Sequence, residues 1–127
     1  MCREIWGRIV RNEYQDIPAR LEHYARYKLA NRDYPGLLAR DQASTDGVIY
    51  LDVTKPDLER LDRFEGEEYE RIRVQVADQT GKPYTACTYL YKSCYAHQVL
   101  AGEWSYSEFQ AKGYQHFLDQ YRGFAGL

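Results

Sequence analysis

Leu61-Asp62-Arg63-Phe64-Glu65-Gly66-Glu67-Glu68-Tyr69-Glu70-Arg71 carries the chain from the end of an amphipathic helix, through one glycine, into a strand. Upstream of it, Thr54 with Asp57 three residues on makes a capping-box-like start, and Pro56 sits in the first turn, where its missing N–H costs little. The spacing predicts a helix over 55–64, buried through Leu58, Leu61 and Phe64, with Gly66 as the left-handed residue that ends it. Downstream, Ile72, Val74 and Val76 alternate with Arg71, Arg73 and Gln75, the period of a half-buried strand over 69–77. Thr80-Gly81-Lys82 turns the chain back into a second strand, 84–91, which makes a hairpin.

Toward the N-terminus, Ile5, Trp6, Ile9 and Val10 share one face of a short helix over 4–10. No Ser, Thr, Asp or Asn stands ahead of it as a cap, so a segment before Met1 is expected. Residues 18–29 alternate Tyr24, Arg26 and Lys28 against Ala25, Tyr27 and Leu29, as a strand does. Asn31-Arg32-Asp33 turns the chain into Tyr34-Pro35-Gly36-Leu37, where proline stops any helix and glycine permits a close backbone approach. The polar run 41–46 reads as a loop, and the nearly all-apolar run 47–53 as a central strand buried on both faces. At the far end a helix is expected over 105–122. Ser105 and Glu108 form its capping box, Tyr114, Phe117, Leu118 and Tyr121 its apolar stripe, and Gly123 its stop. Helix, strands, helix, hairpin, helix is an α+β order, and no linker divides residues 1–127 into more than one domain.

At 127 residues the chain can bury about two-thirds of its unfolded surface without a disulfide or metal staple. A net charge of -2, with both signs interspersed, offers no basic face and argues against nucleic acid. Cys2, Cys87 and Cys94 are odd in number and lack metal-ligand spacing, which points to a reducing cytoplasm rather than a disulfide framework or a zinc site. No apolar run has the length of a membrane span or the place of a signal peptide. The charge balance thus favours a small ligand, and thirteen tyrosines favour a sheet with a partly wet cavity over a dry helical core.

Glu65 is the candidate acid/base. A carboxylate at a helix C-terminus beside Phe64 meets the negative end of the dipole and apolar surface, both of which raise its pKa toward neutrality. Proton transfer by such a group contributes about 10²–10⁴-fold to a rate. The competing structural reading is a helix-ending Glu-Gly pair on a solvated face, crowded by Asp62, Glu67, Glu68 and Glu70. His23, His97 and His116 fall in different elements without shared spacing and read as surface or satisfied histidines. Asp62 reads as support for the helix end.

The series Tyr34-Pro35-Gly36-Leu37, Gly47-Val48-Ile49-Tyr50, Leu61-Asp62-Arg63-Phe64-Glu65-Gly66 and Tyr69-Glu70-Arg71 resembles the γ-glutamylcyclotransferase-like, or AIG2-like, family over 4–91. The resemblance implies a small mixed β-barrel flanked by helices, with the glutamate of the Phe-Glu-Gly corner, Glu65, as acid/base. It implies cleavage of a γ-glutamyl amide by its own α-amino group, giving 5-oxoproline and a free amine, with no metal or cofactor. Tyr34 and Gly36 match the family's Tyr-Pro segment near the cavity, and Tyr69 and Tyr91 are candidates to line it through their hydroxyls. A buried aromatic at a turn and ordinary strand packing remain the alternatives for these four.

Family members also carry a Tyr-Gly-Thr-Leu or Tyr-Gly-Ser-Leu loop whose amides hold the substrate, and Met1-Cys2-Arg3-Glu4-Ile5-Trp6 resembles the residues just after it. Losing one oxyanion donor costs about 10²–10³ in rate. Two expectations compete: Met1 is internal to a longer natural protein, or the chain is a variant that kept the fold and lost the activity. Beside the enzyme stand a non-catalytic AIG2-like module that binds a small ligand or another chain, and a structural domain docking through helix 105–122. Monomer and homodimer are both compatible with the sequence.

Overall fold

The computed structural model of the protein describes residues 3–120. Helix α1 (Arg3–Ile9) leads into two long strands, β1 (Asp16–Leu29) and β2 (Gly36–Tyr50), then helix α2 (Lys55–Glu65) and the hairpin β3 (Tyr69–Asp78) and β4 (Pro83–Tyr91). A 3₁₀ turn (Ser93–Gln98) precedes the short strand β5 (Val99–Glu103). The last stretch is helical throughout: α3 (Tyr106–Glu108), a π-helical turn (Phe109–Gly113) and α4 (Tyr114–Gln120). The α+β order expected from the sequence holds. The predicted Tyr121, Arg122 and Gly123 end of the last helix, like Cys2, lies outside the described residues.

The strands form one antiparallel sheet in the order β2-β1-β3-β4, with β5 also paired to β1. The end strands β2 and β4 approach each other without pairing. Where the resemblance implies a mixed barrel, the described residues form an all-antiparallel sheet that curls but does not close, because no strand among them lies between β2 and β4.

Two expectations for β2 are corrected. Residues 41–46, read as a loop, continue the strand: Glu22, Leu21 and Arg20 of β1 pair with Ser44, Thr45 and Asp46. Ladder hydrogen bonds need no apolar side chains, so a strand that faces water reads as polar throughout. The register breaks at a bulge between Glu22 and Tyr24, where His23 and, on the facing strand, Gln42 take positive φ of 70° and 63°. The run 47–53 is not a central strand: its part within β2 pairs only with β1, Val48 is 40% exposed, and 51–53 lie beyond the strand. It is apolar because it borders a cavity and meets α1, Tyr50 stacking on Trp6 with ring centroids 3.6 Å apart and planes within 6°.

Helix α2 forms much as its sequence dictates. The Thr54 hydroxyl accepts from the Asp57 amide at 3.4 Å, Pro56 occupies the first turn, and Leu61 and Phe64 are buried. Gly66 takes φ 78°, outside the range that suits an L side chain, and its amide donates to the Asp62 carbonyl. Leu61 and Phe64 pack with Ile5, Ile9 and Val10 of the N-terminal segment and with Phe109 and Phe117 of the last helical stretch. Asp57 does more than the predicted capping: it is fully buried and joins α2 to the segment after α1. It accepts from the Arg11 and Asn12 amides (2.9 and 3.2 Å), the Asn12 side chain (3.0 Å), the Tyr14 hydroxyl (2.6 Å) and Arg60 (2.7 Å). Burial alone would raise its pKa, but these donors outweigh it and hold the carboxyl well below the usual range.

The β3–β4 hairpin is as predicted: Ile72, Val74 and Val76 are half-buried while Arg71, Arg73 and Gln75 are exposed. Register sets Tyr69 opposite Tyr91 and Arg71 opposite Tyr89, so these four side chains share the sheet face that reaches the end of α2.

Candidate active site

An open cavity of about 790 Å³ runs along this face, within the size range of small-molecule sites. Glu65, the last residue of α2, lines it together with Tyr34, Pro35 and Tyr69. α2 places the carboxyl at the negative end of its dipole, and Gly66 swings the following chain away into β3. Burial raises the Glu65 pKa to about 7, with the Asp62 carboxylate adding to the rise. No described residue donates a hydrogen bond to it. A half-buried carboxyl poised near neutrality at the wall of a cavity can take up and return a proton.

The flanking groups are held firmly. Tyr69 donates its hydroxyl to the Pro35 carbonyl at 2.5 Å, which ties the Tyr-Pro-Gly turn to the head of β3. Its phenol is pushed well above its ordinary pKa by burial and by the Glu65 carboxylate, so it stays protonated. Asp62, one helical turn before Glu65, accepts from the Tyr89 hydroxyl at 2.6 Å and from Arg71 at 2.9 Å. That supports the helix end, as its position in the sequence led one to expect. Burial and the hydrogen bond to Asp62 also raise the Tyr89 phenol.

Tyr34, Glu65 and Tyr69 thus meet at one cavity, whereas Gly36 and Tyr91 sit behind its wall. Tyr91 is 1% exposed, and its hydroxyl donates to Glu68 at 3.1 Å. Burial, then this bond, raises its pKa to about 12. A Cβ on Gly36 would come within 3.0 Å of both Tyr91 Cγ and Leu29 Cδ2. The glycine therefore lets the Tyr34 turn lie flat on the Tyr91 ring, the close approach read from its sequence.

Glu68 is the residue that sequence reasoning passed over. It accepts from Arg32 (Nη2 at 3.2 Å) and from the Tyr34 hydroxyl at 3.4 Å as well as from Tyr91, making a polar layer beneath the cavity. Its only signal was membership in the acidic run 67–70, which looks like a solvated face. Among the described residues no group of His, Cys, Asp and Glu is arranged to hold a metal ion. Nor, among the described residues, is any helix long and apolar enough to cross a membrane.

Against known families, residues 4–106 match the model described as "Gamma-glutamyl cyclotransferase, AIG2-like". The chain belongs to that family. Among curated relatives of this AIG2-like chain, AIG2-like protein A of Arabidopsis thaliana is 28% identical over 107 residues, covering 84% of this chain and 64% of the relative. Protein AIG2 C of the same plant is 30% identical over 108 residues, with the same coverage of both. The AIG2-like chain therefore spans less than two-thirds of the length of these relatives. A solution structure of an Arabidopsis thaliana protein superposes with a TM-score of 0.70 at 24% identity, over 91% of this chain and 78% of that one. A structure titled gamma-glutamyl cyclotransferase superposes at 0.54 and 24% identity, over 62% and 53%. Both support the fold alone.

Proposed function

We propose that the protein is a γ-glutamyl cyclotransferase that uses Glu65 as general acid and base on a small γ-glutamyl amine or peptide. The observation that carries this reading is the Glu65 carboxyl at the cavity wall with its pKa raised to about 7. The free α-amine of the substrate attacks its own γ-carbonyl and forms the C–N bond of a five-membered ring as the Glu65 carboxylate takes a proton from that nitrogen. The bond from the γ-carbon to the leaving nitrogen then breaks as Glu65 returns the proton to that nitrogen, giving 5-oxoproline and a free amine. Nucleophile and carbonyl belong to one molecule, so holding the pre-ring geometry supplies part of the ~7–11 kcal/mol that orientation can contribute. Tyr34 and Tyr69 shape the wall beside Glu65, and Gly36 and Tyr91 support it from behind. Such an enzyme works on soluble metabolites in the cytoplasm, as monomer or homodimer, without metal, nucleic acid or membrane.

Release of 5-oxoproline from a panel of γ-glutamyl amines and peptides tests the reading. Glu65→Gln keeps the size of the side chain and removes its proton chemistry, and is expected to lower turnover by about 10²–10⁴-fold; unchanged turnover in a folded variant overturns it. A second reading draws on the relatives' names, which state AIG2-like membership and no activity. In it the cavity binds a small acid without turning it over, and binding of 5-oxoproline without Glu65-dependent turnover would establish it.

A further inference from the structure

Of the charged groups that line the cavity and take no part in the proton chemistry at Glu65, Arg26 is the one laid against an aromatic ring. Arg26, on β1, is half-buried and lines the cavity. Register sets it opposite Leu37 of β2, which lines the cavity too, two residues beyond the Pro35 carbonyl that holds Tyr69. Its guanidinium lies over the ring of Trp104, 5.4 Å from the centroid, and the Trp104 indole is itself fixed by donating to the Asp33 carbonyl at 2.7 Å.

What Arg26 lacks is an anion. Among the described residues no carboxylate forms an ion pair with it, and the two that exert a pull on its charge, Asp46 and Glu103, are already engaged by Arg20 at 2.9 Å and Arg40 at 3.2 Å. A guanidinium drawn from water into an aromatic wall loses hydration that only a counter-charge restores. Stacking on an indole occupies its face and leaves its edge N–H groups for a planar, two-oxygen acceptor. One guanidinium stacked on an aromatic ring matches one negative charge better than the two of a phosphate monoester.

We propose that Arg26, held by Trp104, forms an anion subsite of the Glu65 cavity that takes the carboxylate of its ligand. This rests on the reading above that the ligand is a γ-glutamyl compound, every one of which carries an α-carboxylate retained in 5-oxoproline. The subsite makes that carboxylate a condition of binding and discriminates against amidated or esterified analogues.

The test compares 5-oxoproline with 5-oxoprolinamide, the same ring with a neutral amide in place of the carboxylate, by titration calorimetry on the whole protein. The wild type is expected to prefer the acid by about tenfold or more, the worth of a charge-assisted hydrogen bond. Arg26→Met, which keeps an unbranched side chain against Trp104, is expected to erase the preference, and Arg26→Lys to retain part of it. If one variant does not fold by circular dichroism, the other carries the comparison. Equal binding of the two ligands by the wild type, binding of neither, or an undiminished preference in both folded variants overturns the subsite. Turnover is read separately. Glu65-dependent release of 5-oxoproline with an Arg26-independent preference refutes the subsite alone, whereas an Arg26-dependent preference without such turnover refutes the cyclotransferase reading and upholds the subsite.

Discussion

Replacing Glu65 by Gln should make the protein more stable at neutral and alkaline pH while making it a poorer catalyst. The folded protein raises the Glu65 pKa from its ordinary 4.5 to about 7, chiefly by burial. Below pH 4.5 the side chain is protonated in both folded and unfolded chains, and the folded state bears no penalty. Between pH 4.5 and about 7 the folded state holds the proton that the unfolded chain releases, so stability falls as pH rises. Above about 7 the folded protein carries a half-buried carboxylate, and the loss is complete. At about 1.36 kcal/mol per pH unit the rise converts to roughly 3.4 kcal/mol, which partial exposure to the open cavity reduces to about 2–3 kcal/mol. Glutamine keeps the shape and never ionises, so Glu65→Gln should match the wild type at pH 4 and exceed it by about 2–3 kcal/mol at pH 8. Urea unfolding followed by circular dichroism at pH 4, 5.5, 7 and 8 measures the difference directly. A gap that does not change with pH, or one that favours the wild type at pH 8, would refute the argument that Glu65 is held against its charged form. A group kept at such cost without any fold benefit is what a functional site looks like.

Asp57→Ala removes the acceptor of two backbone amides and three side chains at once, and is expected to cost about 3–5 kcal/mol at pH 7 in the same unfolding assay. Because the folded Asp57 pKa is depressed, its contribution is present above the ordinary carboxylate value near pH 4 and lost below it, so the gap between the two proteins should close on acidification; a gap that widens there contradicts the account. Gly36→Ala forces a Cβ to within 3.0 Å of Tyr91 and Leu29 and should destabilise by about 1–3 kcal/mol in thermal melts, with no change pointing to a looser contact than the one described. Asp62→Asn takes away the carboxylate that helps raise Glu65, so the Glu65-dependent limb of the pH–rate profile should move to lower pH; an upward move would mean that Asp62 does not act through its charge.

The α2 helix and the hairpin after it were legible because each rests on neighbours in sequence. Thr54 caps an amide three residues on, Gly66 takes a conformation that L side chains disfavour, and β3 alternates with period two. Glu65 stood out for the same reason, since its helix end and its apolar neighbour Phe64 are local facts. The path of β2 was not legible, because a hydrophobicity pattern reports which side chains meet water and says nothing of which backbone amides find partners. Segment 41–46 faces water and still pairs with β1, while 47–50 is apolar and still lies on an edge strand. Residues 99–103 form β5 only because β1 is there to receive them.

By itself, then, the sequence determined the α+β order, the helix that ends at Glu65 and the family to which that corner belongs. The tertiary structure alone decided that Asp57 is a buried hub as well as part of the capping box, and that Glu68 is a shared acceptor beneath the cavity rather than one of a solvated run. It also decided that Arg26 faces the same cavity as Glu65, laid against a tryptophan 78 positions further along the chain. The physical reason is common to all three. The environment of a charge is set by residues that arrive from elsewhere in the chain, and no local pattern records which donors, rings or carboxylates those will be.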